Sequence, residues 1–164
     1  MSVRFVRPED AEQVARIYNY YVENGHQTFE TAPVGAAEMG ERISAISEKY
    51  PYLVFEENGE VLGYAYAALY KIRQAYRHSA EISVYVKWGV RSRGIGRRLY
   101  EKLFEELKET DIHAVIAGIS LPNEASVRLH QSFGMEKVAH FREVGYKFGR
   151  WIDVGYWEIV MGEK

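Results

Sequence analysis

The run from Ala80 to Ile119 restricts the fold more than any other part of this chain. From Ala80 to Lys87, Ile82, Val84 and Val86 alternate with Glu81, Ser83 and Tyr85, the period of a strand whose second face is unusually polar. A glycine-containing turn follows. Ile95, Leu99, Leu103 and Leu107 then recur at helical spacing and predict a helix from about Ile95 to Lys108, after which Ala114 to Ile119 reads as a buried strand. Strand, helix and strand in this order imply a parallel crossover.

The flanking segments enlarge this unit. Val3 to Val6 reads as a short strand, and Pro8 suits the first turn of a helix, where a missing N–H costs nothing. Glu9, Asp10 and Glu12 favour the positive end of that helix, and Ala11, Val14, Ile17, Tyr18, Tyr21 and Val22 give it one buried face up to Asn24-Gly25. A weaker helix is predicted from Ala36 to Glu48. Tyr52 to Glu56 and Val61 to Tyr70 flank Asn58-Gly59, the favoured dipeptide for a tight hairpin. The C-terminal part adds a helix near Glu124 to Ser132 and strands around Phe141 to Phe148 and Trp151 to Met161, joined at Gly149. The expectation is an α/β (α+β) fold with a mixed, mostly antiparallel central sheet and helices on both faces. With 164 residues and no internal repeat or proline-rich linker, residues 1–164 read as a single domain.

Composition narrows the function. The chain has no cysteine, which removes disulfides, thiolate metal sites and a cysteine nucleophile together and fits a cytoplasmic setting. No run is long and apolar enough to cross a bilayer, so no membrane association is expected. A net charge of -2 argues against general nucleic-acid binding. His26, His78, His113 and His140 show no metal-ligand spacing, so no metal is expected.

One local cluster of charge departs from that balance. Lys87, Arg91, Arg93, Arg97 and Arg98 fall in a segment without an acidic residue, around Arg91-Ser92-Arg93-Gly94-Ile95-Gly96 at the predicted helix start. Unpaired N–H groups and the positive dipole end would hold a phosphate there, and glycines let it approach the backbone. An ordinary strand-to-helix turn with solvated arginines is the alternative. A mononucleotide P-loop needs Gly-Lys followed by Ser or Thr, and a dinucleotide fingerprint needs Gly or Ala where Leu99 stands; neither is satisfied.

Arg91-x-x-Gly94-x-Gly96 between strand and helix resembles the acyl-CoA-binding motif of the GNAT acetyltransferase superfamily, and Asn123-x-x-Ser126-x-x-Leu129-His130-x-x-x-Gly134 resembles its second cofactor-side motif. Ile17-Tyr18-Asn19-Tyr20-Tyr21, Tyr50-Pro51-Tyr52-Leu53-Val54, Ala75-Tyr76, Ala80-Glu81, Leu121-Pro122-Asn123 and Asp153-Val154-Gly155-Tyr156-Trp157 look like the phosphinothricin and methionine sulfoximine acetyltransferase branch, over nearly the whole chain.

The resemblance implies acetyl transfer from acetyl-CoA to a small amino-acid-like amine, in a homodimer, with two central parallel strands splayed around the pantetheine arm. Backbone groups near Val84 and Val86 would pair with the arm, the Arg91, Ser92, Arg93, Gly94, Ile95, Gly96 and Arg97 stretch would hold the pyrophosphate, and Asn123 and Ser126 would complete the cofactor side. Glu81 matches the family's presumed general base, acting directly or through water; a carboxylate paired with an arginine for structural reasons is the alternative. His130 stands where many members carry a tyrosine that protonates the thiolate, and it reads as acid, added base or packed residue. Phe29, Arg73, Tyr76, Tyr85 and Val154 would form the acceptor pocket, with Arg73 anchoring a carboxylate unless it makes only a surface salt bridge. Acetylation of a protein N-terminus or another amine, and acyl-CoA binding without catalysis, are the competing functions.

Overall fold

The computed structural model describes residues 1–90 and 93–162. Its strands are β1 (Ser2–Phe5), β2 (Tyr52–Glu57), β3 (Glu60–Leu69), β4 (Ser79–Val86), β5 (Ala114–Ser120), β6 (Glu136–Lys147) and β7 (Arg150–Val160). The helices are α1 (Ala11–Asn24), α2 (Ala36–Ser47), α3 (Ile95–Lys108) and α4 (Glu124–Ser132). Among the described residues the strands form one seven-stranded sheet in the order β1-β2-β3-β4-β5-β7-β6. Every pairing in it is antiparallel except β4 with β5.

The expected elements are present, with two differences. Pro8 opens a short 3-10 turn, Pro8–Asp10, that runs into α1, because the buried Asp10 carboxylate accepts from the Arg7 N–H at 2.7 Å and from the Arg4 guanidinium at 2.8 and 2.9 Å. Strand β6 starts at Glu136 instead of near Phe141. Its first residues are almost all exposed, so no apolar alternation announces them; pairing with β7 alone makes them a strand.

Helices cover both faces. One core gathers Leu53 and Phe55 of β2 with Leu99, Leu103 and Leu107 of α3, and α4 packs on the same face through Val127 and Leu129. The other gathers Tyr52 and Val54 of β2 with Val14, Ile17, Tyr18 and Val22 of α1 and Met39 and Ile43 of α2. Strand β2 therefore reads as a continuous apolar run. At roughly 1.5–3 kcal/mol per fully buried aliphatic side chain, the leucine stripe of α3 fixes that helix on the sheet. The β2–β3 turn has positive φ at both Asn58 (52°) and Gly59 (80°), as the Asn-Gly dipeptide predicts for a turn matched to strand twist.

Candidate active site

Strands β4 and β5 pair through only Ser79↔Ala114, Ala80↔Val115 and Glu81↔Ile116. Beyond that rung β4 stays bonded to β3 as far as Gly63↔Val86, and β5 stays bonded to β7 as far as Ser120↔Val154. The two strands thus part in the middle of the sheet. The Lys87 N–H donates to the Leu62 carbonyl at 2.8 Å, so by alternation the odd residues of β4 turn their backbone groups toward β3. Ile82, Val84 and Val86 turn theirs into the opening, where the Val86 carbonyl accepts from the Tyr21 hydroxyl.

A cavity of about 790 Å³ occupies this opening. Ser83, Val84, Tyr85 and Val86 form one wall, and Gly118, Ile119 and Ser120 of β5 form the other. Arg93 to Arg97 stand at one part of its lining, and Asn123, Ser126 and His130 of α4 at another. Arg91 and Ser92 lie outside the described residues.

Helix α3 begins without a side-chain cap and without an acid in its first turn. Its N-cap Gly94 has φ +66°, a conformation that costs a residue with a Cβ about 1–2 kcal/mol. Among the described residues the first-turn amides therefore have no side-chain acceptor, and they carry the helix's positive end. At Gly96 a Cβ would stand 3.3 Å from Leu129 Cδ2, so glycine there lets α3 approach α4 at the cavity floor. The basic side chains are partly engaged: Arg93 holds Glu57 at 2.6 and 2.9 Å and Arg97 holds Glu101 at 3.0 Å. Exposed pairs of this kind contribute little and are readily exchanged for a phosphate.

Asn123 caps α4, its side-chain oxygen accepting from the Ser126 N–H at 3.2 Å, which leaves its amide NH2 for a ligand. His130 is 3 % exposed. Its Nδ1 lies 2.7 Å from the Ser126 carbonyl, and because a carbonyl only accepts, Nδ1 carries the proton. Nε2, 2.9 Å from the Tyr100 hydroxyl, is then the acceptor. Burial pushes the imidazole pKa down, outweighing the Ser126 bond, so the ring is neutral at pH 7. Neither nitrogen offers a proton to the cavity.

Glu81 occupies the rung at which the strands part, just outside the cavity lining. Burial raises its pKa, and it has no cationic partner among the described residues, so the arginine-paired reading finds no support there. Burial pushes the pKa of the Tyr66 and Tyr156 phenols up, and the Glu81 charge adds to the rise at both.

The expected acceptor residues are dispersed. Tyr85 lines the cavity, its hydroxyl 3.4 Å from the Gln27 carbonyl. Val154 is buried on β7 opposite Ser120, and Phe29 lies against Gly145 of β6. Tyr76 meets Tyr70 edge-on at 5.6 Å, with the Lys71 ammonium over both rings. Arg73 is exposed in the β3–β4 connection, off the cavity lining, and forms no ion pair among the described residues. Sequence reasoning passed over Gln27, Tyr100, Gly118 and Ser120, all on the lining. Tyr100 is masked by its place in a helix read for its leucines, and the other three carry no local signal.

A parted parallel pair, backbone groups of β4 turned into the opening and a helix start whose N-cap glycine offers no side-chain cap suit a thioester-linked nucleotide. Residues 3–155 match the acetyltransferase (GNAT) domain family. The chain belongs to the GNAT acetyltransferase family. This acetyltransferase is similar to phosphinothricin N-acetyltransferase of Streptomyces coelicolor, 42 % identical over 93 % of this chain and 94 % of that protein. It is similar to the L-amino acid N-acyltransferase MnaT of Escherichia coli, 37 % identical over 100 % of this chain and 96 % of that one. Its fold matches the crystal structure of a Sinorhizobium meliloti phosphinothricin acetyltransferase in complex with acetyl-CoA, with a TM-score of 0.94 and 34 % identity over 98 % of this chain and 88 % of that chain.

Proposed function

We propose that this acetyltransferase acetylates the amino group of a small amino-acid-like acceptor of the phosphinothricin or methionine sulfoximine type, taking the acetyl group from acetyl-CoA. The observation that carries the reading is the opening between β4 and β5 beside the uncapped start of α3. The named acceptor of the S. coelicolor relative and the amino-acid acceptor of MnaT support the substrate class.

Acetyl-CoA, when bound, supplies an electrophilic thioester carbonyl. The backbone of Val84 and Val86 holds the arm, the amides of Gly94 to Arg97 with the Arg93 and Arg97 guanidinium groups hold the pyrophosphate, and the Asn123 NH2 and Ser126 face the arm from α4. Glu81 takes the ammonium proton, directly or through water; its raised pKa brings it closer to the amine it must deprotonate. His130 acts as a neutral positioning group, bonding α4 to Tyr100 of α3 and so placing Ser126 and Asn123. Arg73 anchors the acceptor carboxylate, with Phe29, Tyr76, Tyr85 and Val154 around it.

A homodimer fits the exposed apolar side of the β6–β7 hairpin, where Val144, Tyr146, Phe148 and Trp151 are each 58–65 % exposed. A cytoplasmic setting and a small-molecule partner, with no nucleic acid, membrane or metal, fit the composition. The test is an acceptor screen that follows free-thiol release from acetyl-CoA, with phosphinothricin, methionine sulfoximine, free amino acids and peptide N-termini. Turnover of the first group, with acceptor KM raised by Arg73→Ala, is expected. Turnover confined to peptides would replace the acceptor assignment, and cofactor binding without turnover would replace the enzymatic one.

A further inference from the structure

The inner side of the β6–β7 hairpin holds a lysine that acetyl transfer leaves without a role. Lys147 is 3 % exposed, and its ammonium donates to the Thr28 carbonyl at 2.9 Å and the Tyr21 carbonyl at 3.2 Å and lies 5.1 Å from the centre of the Phe148 ring, with no carboxylate paired to it among the described residues. A buried ammonium is costly unless its N–H groups are used, so these bonds decide where the segments around it can settle. Tyr21 lies in the last turn of α1, whose carbonyls form the negative end of the helix and favour a cation.

Strand β6 is bent to place it there. Its register against β7 shifts between Phe141 and Gly145, with Glu143 at φ 53°. After the shift Gly145 and Lys147 face inward, while Val144, Tyr146 and Phe148 face solvent. The Phe29 ring fills the space beside Gly145, where any Cβ would overlap it.

The gripped segment, residues 25–30, borders the cavity. Gln27 is on the cavity lining. Thr28 is bonded to the Tyr18 hydroxyl at 2.7 Å, and His26 Nδ1 lies 2.8 Å from the hydroxyl of Ser120, itself on the lining. The segment is thus held from α1, from β5 and, through Lys147, from β6. Tyr21 also reaches the open edge of β4 by its hydroxyl.

We propose that Lys147 is a positioning residue for the acceptor half of the site: its ammonium ties the β6–β7 hairpin to residues 25–30 and sets how Gln27 and Phe29 stand beside the cleft. The kinetic part rests on the acetyl-transfer reading. Lys147→Met keeps the side-chain length without donors, and Lys147→Gln keeps a donor. Hydrogen exchange of residues 25–30, which needs no acceptor, is read beside the Kd of acetyl-CoA and the KM of whichever amine the native protein turns over. In K147M, exchange at residues 25–30 rises about tenfold or more with α3 and α4 unchanged. Acceptor KM rises by a similar factor while acetyl-CoA Kd stays within about twofold, and K147Q falls between. Unchanged exchange at 25–30, or equal weakening of both ligands, overturns the proposal; if K147M does not fold, K147Q decides by the same criteria. Native protein that turns over no amine defeats the acetyl-transfer reading instead, which the exchange measurement does not address.

Discussion

Glu81 and Ile116 form the last rung that joins β4 to β5, so the carboxyl stands at the point where the sheet opens. Its strand neighbours Ser83 and Tyr85 continue along the cavity wall, which places Glu81 at the inner end of the opening.

Glu81→Gln removes the proposed base, and kcat/KM falls by about 10²–10⁴ at neutral pH with acetyl-CoA affinity retained. Steady-state kinetics and calorimetry check it, and unchanged turnover withdraws the assignment. Stability moves the other way. A carboxyl whose folded pKa is raised above the unfolded value, about 4.3 for Glu, contributes most below that unfolded value, and the contribution is lost as pH rises toward the folded pKa. E81Q is therefore more heat-resistant than the native protein at pH 7, and the gap closes below about pH 4 in scans across pH.

For the pair formed by Tyr100 and His130, Tyr100→Phe leaves Nε2 buried without its donor and lowers stability by about 1–3 kcal/mol in denaturant titration. Because burial holds the folded pKa of His130 below its unfolded value, its stabilisation is present above about pH 6.5 and lost as pH falls through the lowered folded value. His130→Ala weakens acetyl-CoA binding but leaves the shape of the kcat pH profile intact. Loss of one limb of that profile would instead make His130 a proton donor.

Gly94→Ala strains the helix start by about 1–2 kcal/mol and turns the first amides of α3 away from a bound anion. Acetyl-CoA Kd rises about tenfold or more, since roughly 1.4 kcal/mol is one decade. Native affinity also falls as salt rises from 0.05 to about 0.5 M, because the contacts at Arg93 and Arg97 are exposed. Calorimetry reads both, and salt-independent binding would move the pyrophosphate elsewhere.

Phe148→Glu with Trp151→Glu places charge on the exposed side of the hairpin, at side chains 60 % and 65 % exposed. Sedimentation is expected to show a dimer for native protein and a monomer of unchanged circular dichroism for the variant. A native monomer refutes the dimer.

Local order was legible in the residues. The leucine stripe of α3, the Asn58-Gly59 turn and the glycines at 94 and 96 state their structure through short-range sterics and periodicity, and α3 and α4 have the bounds that the sequence predicts. The exposed start of β6 and the half-buried Glu81, with no cationic partner among the described residues, were not legible in the same way, because neither depends on its sequence neighbours. How far β4 pairs with β5, that both nitrogens of His130 are engaged, and that Lys147 reaches Thr28 across the fold are settled by contacts between distant segments. Pattern within a segment fixes which face is apolar; only packing of segments against one another fixes which polar group loses water and what replaces it.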